Sequence, residues 1–344
     1  MIRQFIESIK EEKEGYSFDR PWRLEEKSLG VILPIIRKTD KKRDYITFAE
    51  AQQIKVEDTG QIDHVYVKND EDKSVFISRG EIFRGKTQER AAIHGYIIPS
   101  GKGLRVAVRC IHQSKGISSG AEMEYGGRAP YSIDFSDQSK TWNTVHQYSS
   151  SVRGESTPET LCSTNIREGA VLDDLVFGST GGPNILRTME MNMGAQGPQG
   201  NMGSQGIQGS DDLVNTIGEL SGSIKEAMKR IPFIENQAGA IFFKENELMG
   251  MDVYDVPESW DSVKKDIVEK EGSDFMERED ETEMFEFKPE KAVALAKKKL
   301  SVDFEEKEIY NKEYKVVEIR SKKVLGEATI FNNCVIHLTL WKKQ

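Results

Sequence analysis

The stretch SRGEIFRGKTQERAAIHGYIIPSGKGLRVAVRCIHQSKG, from Ser78 to Gly116, holds the chain's densest set of side chains able to do chemistry. Glu81 could bind a hydroxyl or take a proton, and His112 could share that acid–base work. Arg84, Lys86, Arg90 and Lys115 are cations that could hold a phosphate or a carboxylate, the arginines through paired N–H donors. Gln88 and Gln113 add amides that could orient such a ligand. Read as one strand from Val75 to Phe83, the segment puts Glu81 in phase with Val75, Ile77 and Phe83, so a carboxylate lies on an apolar face. Burying it costs free energy unless it is paired or hydrogen-bonded, and Arg79, Arg84, Arg90 and Arg109 are the cations at hand. Two readings stay open. One is a ligand site for an anionic small molecule; the other is a structural Glu–Arg pair that fixes the hairpin. His112 likewise ends an apolar row of Leu104, Val106, Val108 and Cys110. It reads as a hydrogen-bonded histidine at the core edge or, if the strand twists out there, as the partner of Glu81. Cys110 on that row reads as a small core hydrophobe. His337, alternating with Val335 and Thr339, reads as structural.

Other familiar chemistry is missing from the sequence. There is no GxxxxGK[ST] phosphate loop, no GxGxxG after a strand, no GxSxG elbow and no HExxH pair, and no cofactor can be assigned. Cys110, Cys162 and Cys334 lack metal-ligand spacing and fit a reducing cytoplasm. The formal net charge of -9 argues against a nonspecific nucleic-acid binder. Between Arg79 and Arg153, however, eleven Lys/Arg stand against six Asp/Glu, a local excess of +5 that points to an anionic small molecule. Scattered surface arginines would give the same count. No apolar run is long enough to span a bilayer, and the first residues, MIRQFIESIKEEKEG, lack the continuous apolar core of a signal peptide. The expectation is a cytoplasmic protein without a membrane partner.

The elements that must position these residues can be read from their periodicity. Ile2, Phe5, Ile6 and Ile9 mark an opening helix that stops near Gly15. Leu29–Arg37 is a strand that Pro34 places at a sheet edge or strand start. A short helix is expected at Phe48–Gln53, and strands at Ile54–Glu57, Val65–Val67, Val75–Phe83, Ala92–Ile98 and Leu104–Gln113. A helix follows with Phe135, Trp142, Val145 and Val152 on its face. Gly194 to Gly209 repeat glycine at every third position, a collagen-like pattern too short for a stable triple helix. Leu213 to Ile231 is an amphipathic helix for a core or a partner. Ala238–Phe243 and Leu248–Val253 form a hairpin, and Asp255-Val256-Pro257-Glu258 opens a helix with Trp260, Val263, Ile267 and Phe275 on its apolar face. The acidic run Glu269–Glu286 reads as a solvated helix end and loop. A helix at Pro289–Leu300 and strands at Tyr314–Ile319, Val324–Ile330 and Val335–Trp341 complete the pattern.

The fold class expected is α+β. An antiparallel, sandwich-like or barrel-like β-rich N-terminal half packs with an α+β C-terminal half. The divisions fall at 1–28 (helix and linker), 29–152 (β-rich domain and following helix), 153–210 (irregular, with the Gly-x-y tract) and 211–344 (α+β). In order along the chain, LPII, YITFAEAQ, EIFRGKTQER, VAVRCIHQSKG, QSKTWNTV, AGAIFFKENELMGMDVYDVPESW and VIHLTLW resemble the ARG-and-Rhodanese-Phosphatase-superfamily-associated protein domain family. By position the resemblance carries over Glu81, Gln88, Arg90, Cys110 and Gln113. His112 stands where the family has Glu and Lys115 where it has Arg, and the glycine tract is no part of the pattern. The family's association with ADP-ribosylglycohydrolase-like and phosphatase-like partners implies a nucleotide-derived or phosphorylated metabolite. The alternative is a non-catalytic protein that self-associates or docks a partner through the 211–231 helix and the glycine tract.

Overall fold

The computed structural model describes residues 1–23, 30–86, 88–111, 119–131, 141–142, 231–244, 247–275, 289–301 and 303–343. The fold is organised around an eight-stranded antiparallel sheet of β1 (Tyr16–Phe18), β2 (Gly30–Arg37), β12 (Gln237–Lys244), β13 (Glu247–Tyr254), β17 (Cys334–Lys342), β16 (Val324–Phe331), β15 (Lys315–Arg320) and β14 (Glu305–Asn311), in that spatial order. One face of it carries Leu33, Ile241, Met251, Val253, Leu338 and Leu340. Against that face pack α1 (Ile2–Lys10), through Ile2, Ile6 and Ile9, and α3 (Pro289–Leu300), through Ala292, Ala296 and Leu300. Both helices bury the residues their three- and four-residue spacing selects.

The other face meets α2 (Pro257–Phe275), whose Trp260, Val263 and Ile267 are buried as their spacing predicts. Pro257 is the first helical residue, where its missing N–H costs nothing. Asp255 does not serve as a simple cap. Its carboxylate accepts from Tyr45 Oη at 2.6 Å and Lys41 Nζ at 2.6 Å.

On that same face lie a closed six-stranded barrel and a three-stranded sheet. The barrel runs β10 (Gly103–Cys110), β5 (His64–Asn69), β4 (Ile54–Asp58), β11 (Glu122–Arg128), β7 (Glu81–Gly85) and β8 (Glu89–Ala92). The sheet is β3 (Tyr45–Thr47), β6 (Ser74–Ile77) and β9 (Tyr96–Ile98), with a single 3₁₀ turn at Phe48–Glu50 where a short helix was expected. The N-terminal half is thus β-rich, with a barrel. The C-terminal half is more strongly β than its pattern suggests: six strands and two helices among the described residues.

Three expectations are corrected. The strand expected from Val75 to Phe83 is two strands of different sheets. Gly80, at φ 81°, sits third in a turn closed by Glu81 N–H donating to Ser78 O at 3.2 Å, as a type II turn requires. Ala92–Ile98 divides similarly, between β8 and β9. β2 is not an edge strand, because it lies between β1 and β12. Pro34 O accepts from Asp19 N, so the ring nitrogen faces the β1 side just beyond the last β1–β2 pair, where no ladder donor is needed. Apart from residues 141–142, which are helical, the helix expected around 135–152 lies outside the described residues, as do the glycine tract and nearly all of the 211–231 helix. No helix among the described residues is long and apolar enough to cross a membrane.

Candidate functional site

Glu81 opens β7 at the end of the barrel that faces the large sheet, and its side chain folds back over the turn before it. Ser78 N–H donates to Glu81 Oε2 at 3.0 Å while Glu81 N–H closes the same turn. The carboxylate is almost wholly buried. Its cationic neighbour is none of the four arginines expected from the hairpin. Arg128 stands directly opposite Glu81 in the β7–β11 register. A bulge at Gly126-Gly127 inserts one extra residue after Tyr125, and this returns Arg128 to the inward-facing parity of Tyr125. Burial pushes the Glu81 carboxyl up to about 8, against the opposing pull of Arg128 and the Ser78 N–H.

Arg128 continues into the large sheet, where its Nη2 lies 2.7 Å from Asp252 Oδ2. The other Asp252 oxygen bonds His337 Nε2 at 2.9 Å, and Tyr131 Oη donates to Oδ2 at 3.2 Å. Burial works against ionisation of Asp252, but Arg128 and then His337 more than offset it and hold the carboxyl below its ordinary value. Tyr254 stacks on His337 with ring centroids 4.5 Å apart. Its hydroxyl and that of Ser78 lie near Glu81, buried and, among the described residues, without a hydrogen-bond partner in good geometry. Burial raises the Tyr254 phenol well above its usual range, and Asp252 adds to this.

A second carboxylate repeats the arrangement. In register, Asp252 faces Thr339 and Thr339 faces Glu327, so the two acids share one face of the sheet two strands apart. Glu327 Oε2 takes Arg79 Nη1 at 3.3 Å and His94 Nδ1 at 2.7 Å, and Oε1 accepts the Gly95 N–H at 2.7 Å. Burial opposes ionisation of Glu327, and His94, Arg79 and Gly95 together outweigh it. The sheet therefore presents two carboxylates, each gripped by an arginine from the barrel side and by one histidine. The turn Ser78–Glu81 links the two grips.

The hairpin residues divide between the inside and outside of the barrel. Phe83 pairs with Arg90 and Arg90 with Cys110, so these side chains point inward with Glu81. Arg90 is fully buried; its Nη2 donates to both Asp58 carboxylate oxygens, at 3.1 and 3.0 Å, while its Nη1 donates to Ile62 O at 2.9 Å. It braces the barrel interior through Asp58 on β4, not through the Glu81 pair that the structural reading of the hairpin expected. Gln88 is buried, its Oε1 accepting the Glu89 N–H at 3.1 Å. Arg84 and Glu89 lie outside, 3.8 Å apart, with Arg84 one-third exposed. Lys86 is exposed at the hairpin tip. His112, Gln113 and Lys115 lie outside the described residues. Cys110 is buried, as expected of a core hydrophobe.

Sequence reasoning missed Arg128, Asp252 and Glu327 and gave His337 no partner. The signal was present. Each acid interrupts an otherwise apolar strand, ELMGMDVY and VLGEATIF, and VIHLTLW does the same with histidine. A buried ionisable group needs a partner, and three such strands side by side imply a shared polar layer. Among the described residues, no group of three or more His, Cys, Asp or Glu is placed to hold a metal ion.

The sequence profile of the ARG and Rhodanese-Phosphatase-superfamily-associated Protein domain matches residues 15–341. The chain belongs to this family. The match runs from β1 to β17, so the family's domain comprises the barrel and the eight-stranded sheet together. No curated protein and no solved structure matches the chain.

Proposed function

We propose that the protein binds, and acts on, an anionic, phosphorylated or nucleotide-derived metabolite at the hairpin of β7 and β8, with Glu81 as the proton-transferring carboxyl. The observation that carries this reading is a buried glutamate whose ionisation falls near neutral pH, set in a Gly-containing turn beside Arg128, Ser78 and Tyr254. A carboxyl poised there exchanges protons at little cost, as general acid–base work requires. Arg84 and Lys86 are the solvent-accessible cations of the hairpin and supply the anion's first contacts, with Lys115 and Gln113 assigned to the same ligand. His112 is the proposed second acid–base group. Arg90 and Gln88 support this site from beneath, through Asp58 and the β8 backbone, rather than touching the anion. The family's name, with its ADP-ribosylglycohydrolase-like and phosphatase-like associations, supports ADP-ribose-like or phosphorylated ligands first.

The test is thermal stabilisation of the full chain by ADP-ribose, NAD, nucleotides, sugar phosphates and inorganic phosphate. A ligand at roughly a hundred times its Kd stabilises the native state by about 2.7 kcal/mol. The shift should weaken in Arg84→Ala and Lys86→Ala. In Glu81→Gln turnover of the same compound should be lost while folding is retained. A panel without any shift, or a shift indifferent to all three substitutions, removes the hairpin as the site.

A further inference from the structure

Two buried carboxyls compete for one guanidinium where the barrel meets the sheet. Arg128 of β11 stands opposite Glu81 in the β7–β11 register, yet its Nη2 lies 2.7 Å from Asp252 Oδ2 on β13. Asp252 also has His337 Nε2 at 2.9 Å and the Tyr131 hydroxyl at 3.2 Å. Among the described residues, Glu81 receives one hydrogen bond in good geometry, from the Ser78 N–H at 3.0 Å. Also facing Glu81 are the Ser78 hydroxyl, the phenols of Tyr254 and Tyr125, and Asp266 of α2, and none of these is a cation. Asp266 accepts from Tyr125 Oη at 2.8 Å and works against ionisation of Glu81. Arg79, the other arginine of this layer, is engaged with Glu327 at 3.3 Å.

We propose that Asp252 is a positioning residue for the Glu81 site: by holding Arg128 it becomes the charged member of the pair and leaves Glu81 to carry the proton. One cation cannot neutralise two dry carboxylates at once. The acid with more donors ionises first, and the other keeps its proton. Asp252 has three partners against the single backbone N–H of Glu81. Without the Asp252 charge, the register leaves Glu81 as the carboxyl that faces Arg128, and the proton would be lost from it more readily. The role rests on the reading of Glu81 as the proton-transferring carboxyl, and it accounts for the proton that a general acid must hold before it acts. An aspartate that only tied the sheet to the barrel would hold Arg128 without deciding where Glu81 titrates.

Infrared difference spectroscopy of the full chain between about pH 6 and pH 10 provides the test. Ordinary Asp and Glu side chains are ionised throughout that range, so the C=O stretch of a protonated carboxyl reports only a retained proton. The wild type should show such a band, fading with a midpoint near 8, and Glu81→Gln should lack it. In Asp252→Asn the midpoint should fall by at least about one pH unit, a tenfold loss of proton affinity. Asp252→Glu, which keeps the carboxylate, should return the midpoint toward 8. Three outcomes overturn the proposal: no band in the wild type, a band that survives whole in Glu81→Gln, or a midpoint unmoved or raised in Asp252→Asn. The first two are decided even where Asp252→Asn does not fold. No ligand enters these measurements, so their failure removes the role of Asp252, whereas an empty ligand panel counts against the hairpin reading instead.

Discussion

The turn Ser78–Glu81 concentrates the chemistry of this fold into four residues, because its two charged side chains leave in different directions. Arg79 reaches Glu327 and Glu81 faces Arg128, so a change at one is felt at both sheet carboxylates. Glu81 should leave a signature in the pH dependence of stability. Its carboxyl titrates near 8 in the folded protein and near its ordinary value when unfolded, so between those limits the native state binds the extra proton. The stabilisation is therefore complete below about pH 4.5 and is lost as pH rises through 8. The full difference is on the order of 4–5 kcal/mol. Urea unfolding of the wild type and Glu81→Gln should diverge steadily from pH 5 to pH 9, with glutamine losing less. Parallel curves would mean that Glu81 ionises normally. Arg128 poses a complementary test. Replacing it with Met leaves Asp252 buried with His337 and Tyr131 as its partners among the described residues, which should cost about 3–5 kcal/mol. Adding Asp252→Asn to that variant should recover part of the loss. A double-mutant cycle with no coupling would deny the pair.

At the level of elements, the periodic segments were legible and the pairings were not. The helix Pro289–Leu300, the hairpin of β12 and β13, and the apolar face of α2 follow from local spacing alone. β14 was not found because EEKEIYN, an exposed edge strand rich in charge, has no apolar alternation to betray it. The barrel was only half visible, since one glycine at positive φ turns an apparent single strand into members of two sheets. Glu81 was recognised as a buried acid from its own strand. Its partner Arg128 lies some fifty residues on and reaches it only through a bulge, which no local period encodes. Glycines at the sheet contacts show how such pairings become sequence requirements. A Cβ on Gly95 would lie 2.3 Å from the buried Thr329 Oγ1, and one on Gly239 would lie 2.4 Å from the Asp252 backbone oxygen. Both Gly→Ala changes should destabilise by about 1–3 kcal/mol through overpacking. Thr329→Ala should restore most of the loss at Gly95. No side-chain change should rescue Gly239, where the obstacle is backbone. Melting temperatures of Gly95→Ala, Gly239→Ala, Thr329→Ala and the Gly95→Ala/Thr329→Ala double variant decide this, and failure of Thr329→Ala to rescue Gly95→Ala would refute the steric account.

At the scale of the molecule, the barrel and the large sheet are separate hydrogen-bonded systems with every reason to unfold together. The chain enters the sheet through β1 and β2, leaves to build the barrel, and returns for β12 to β17, so the sheet is assembled from two stretches that flank the barrel. A single apolar core runs through the barrel interior, the α2 face and Phe242, Tyr254 and Ile336 of the sheet. Across that core run the two matched grips, Arg128 on Asp252 and Arg79 on Glu327. Each is nearly dry, so the cost of parting it is that of leaving a buried charge alone, not the small worth of a surface ion pair. Wild-type unfolding should therefore be one transition, coincident by near-UV and far-UV circular dichroism. Removing both arginines, as Arg79→Met with Arg128→Met, strands two carboxylates on the sheet face and should separate the melting of the barrel from that of the sheet. The near-UV signal reports this directly. Trp341 and Tyr131 stack on one another at 4.3 Å and belong to the sheet side, while Phe48, Phe83 and Tyr125 cluster on the barrel side. If the double variant still melts in one step, the shared apolar core alone couples the two parts. The polar layer would then be free to serve ligand chemistry without holding the fold together.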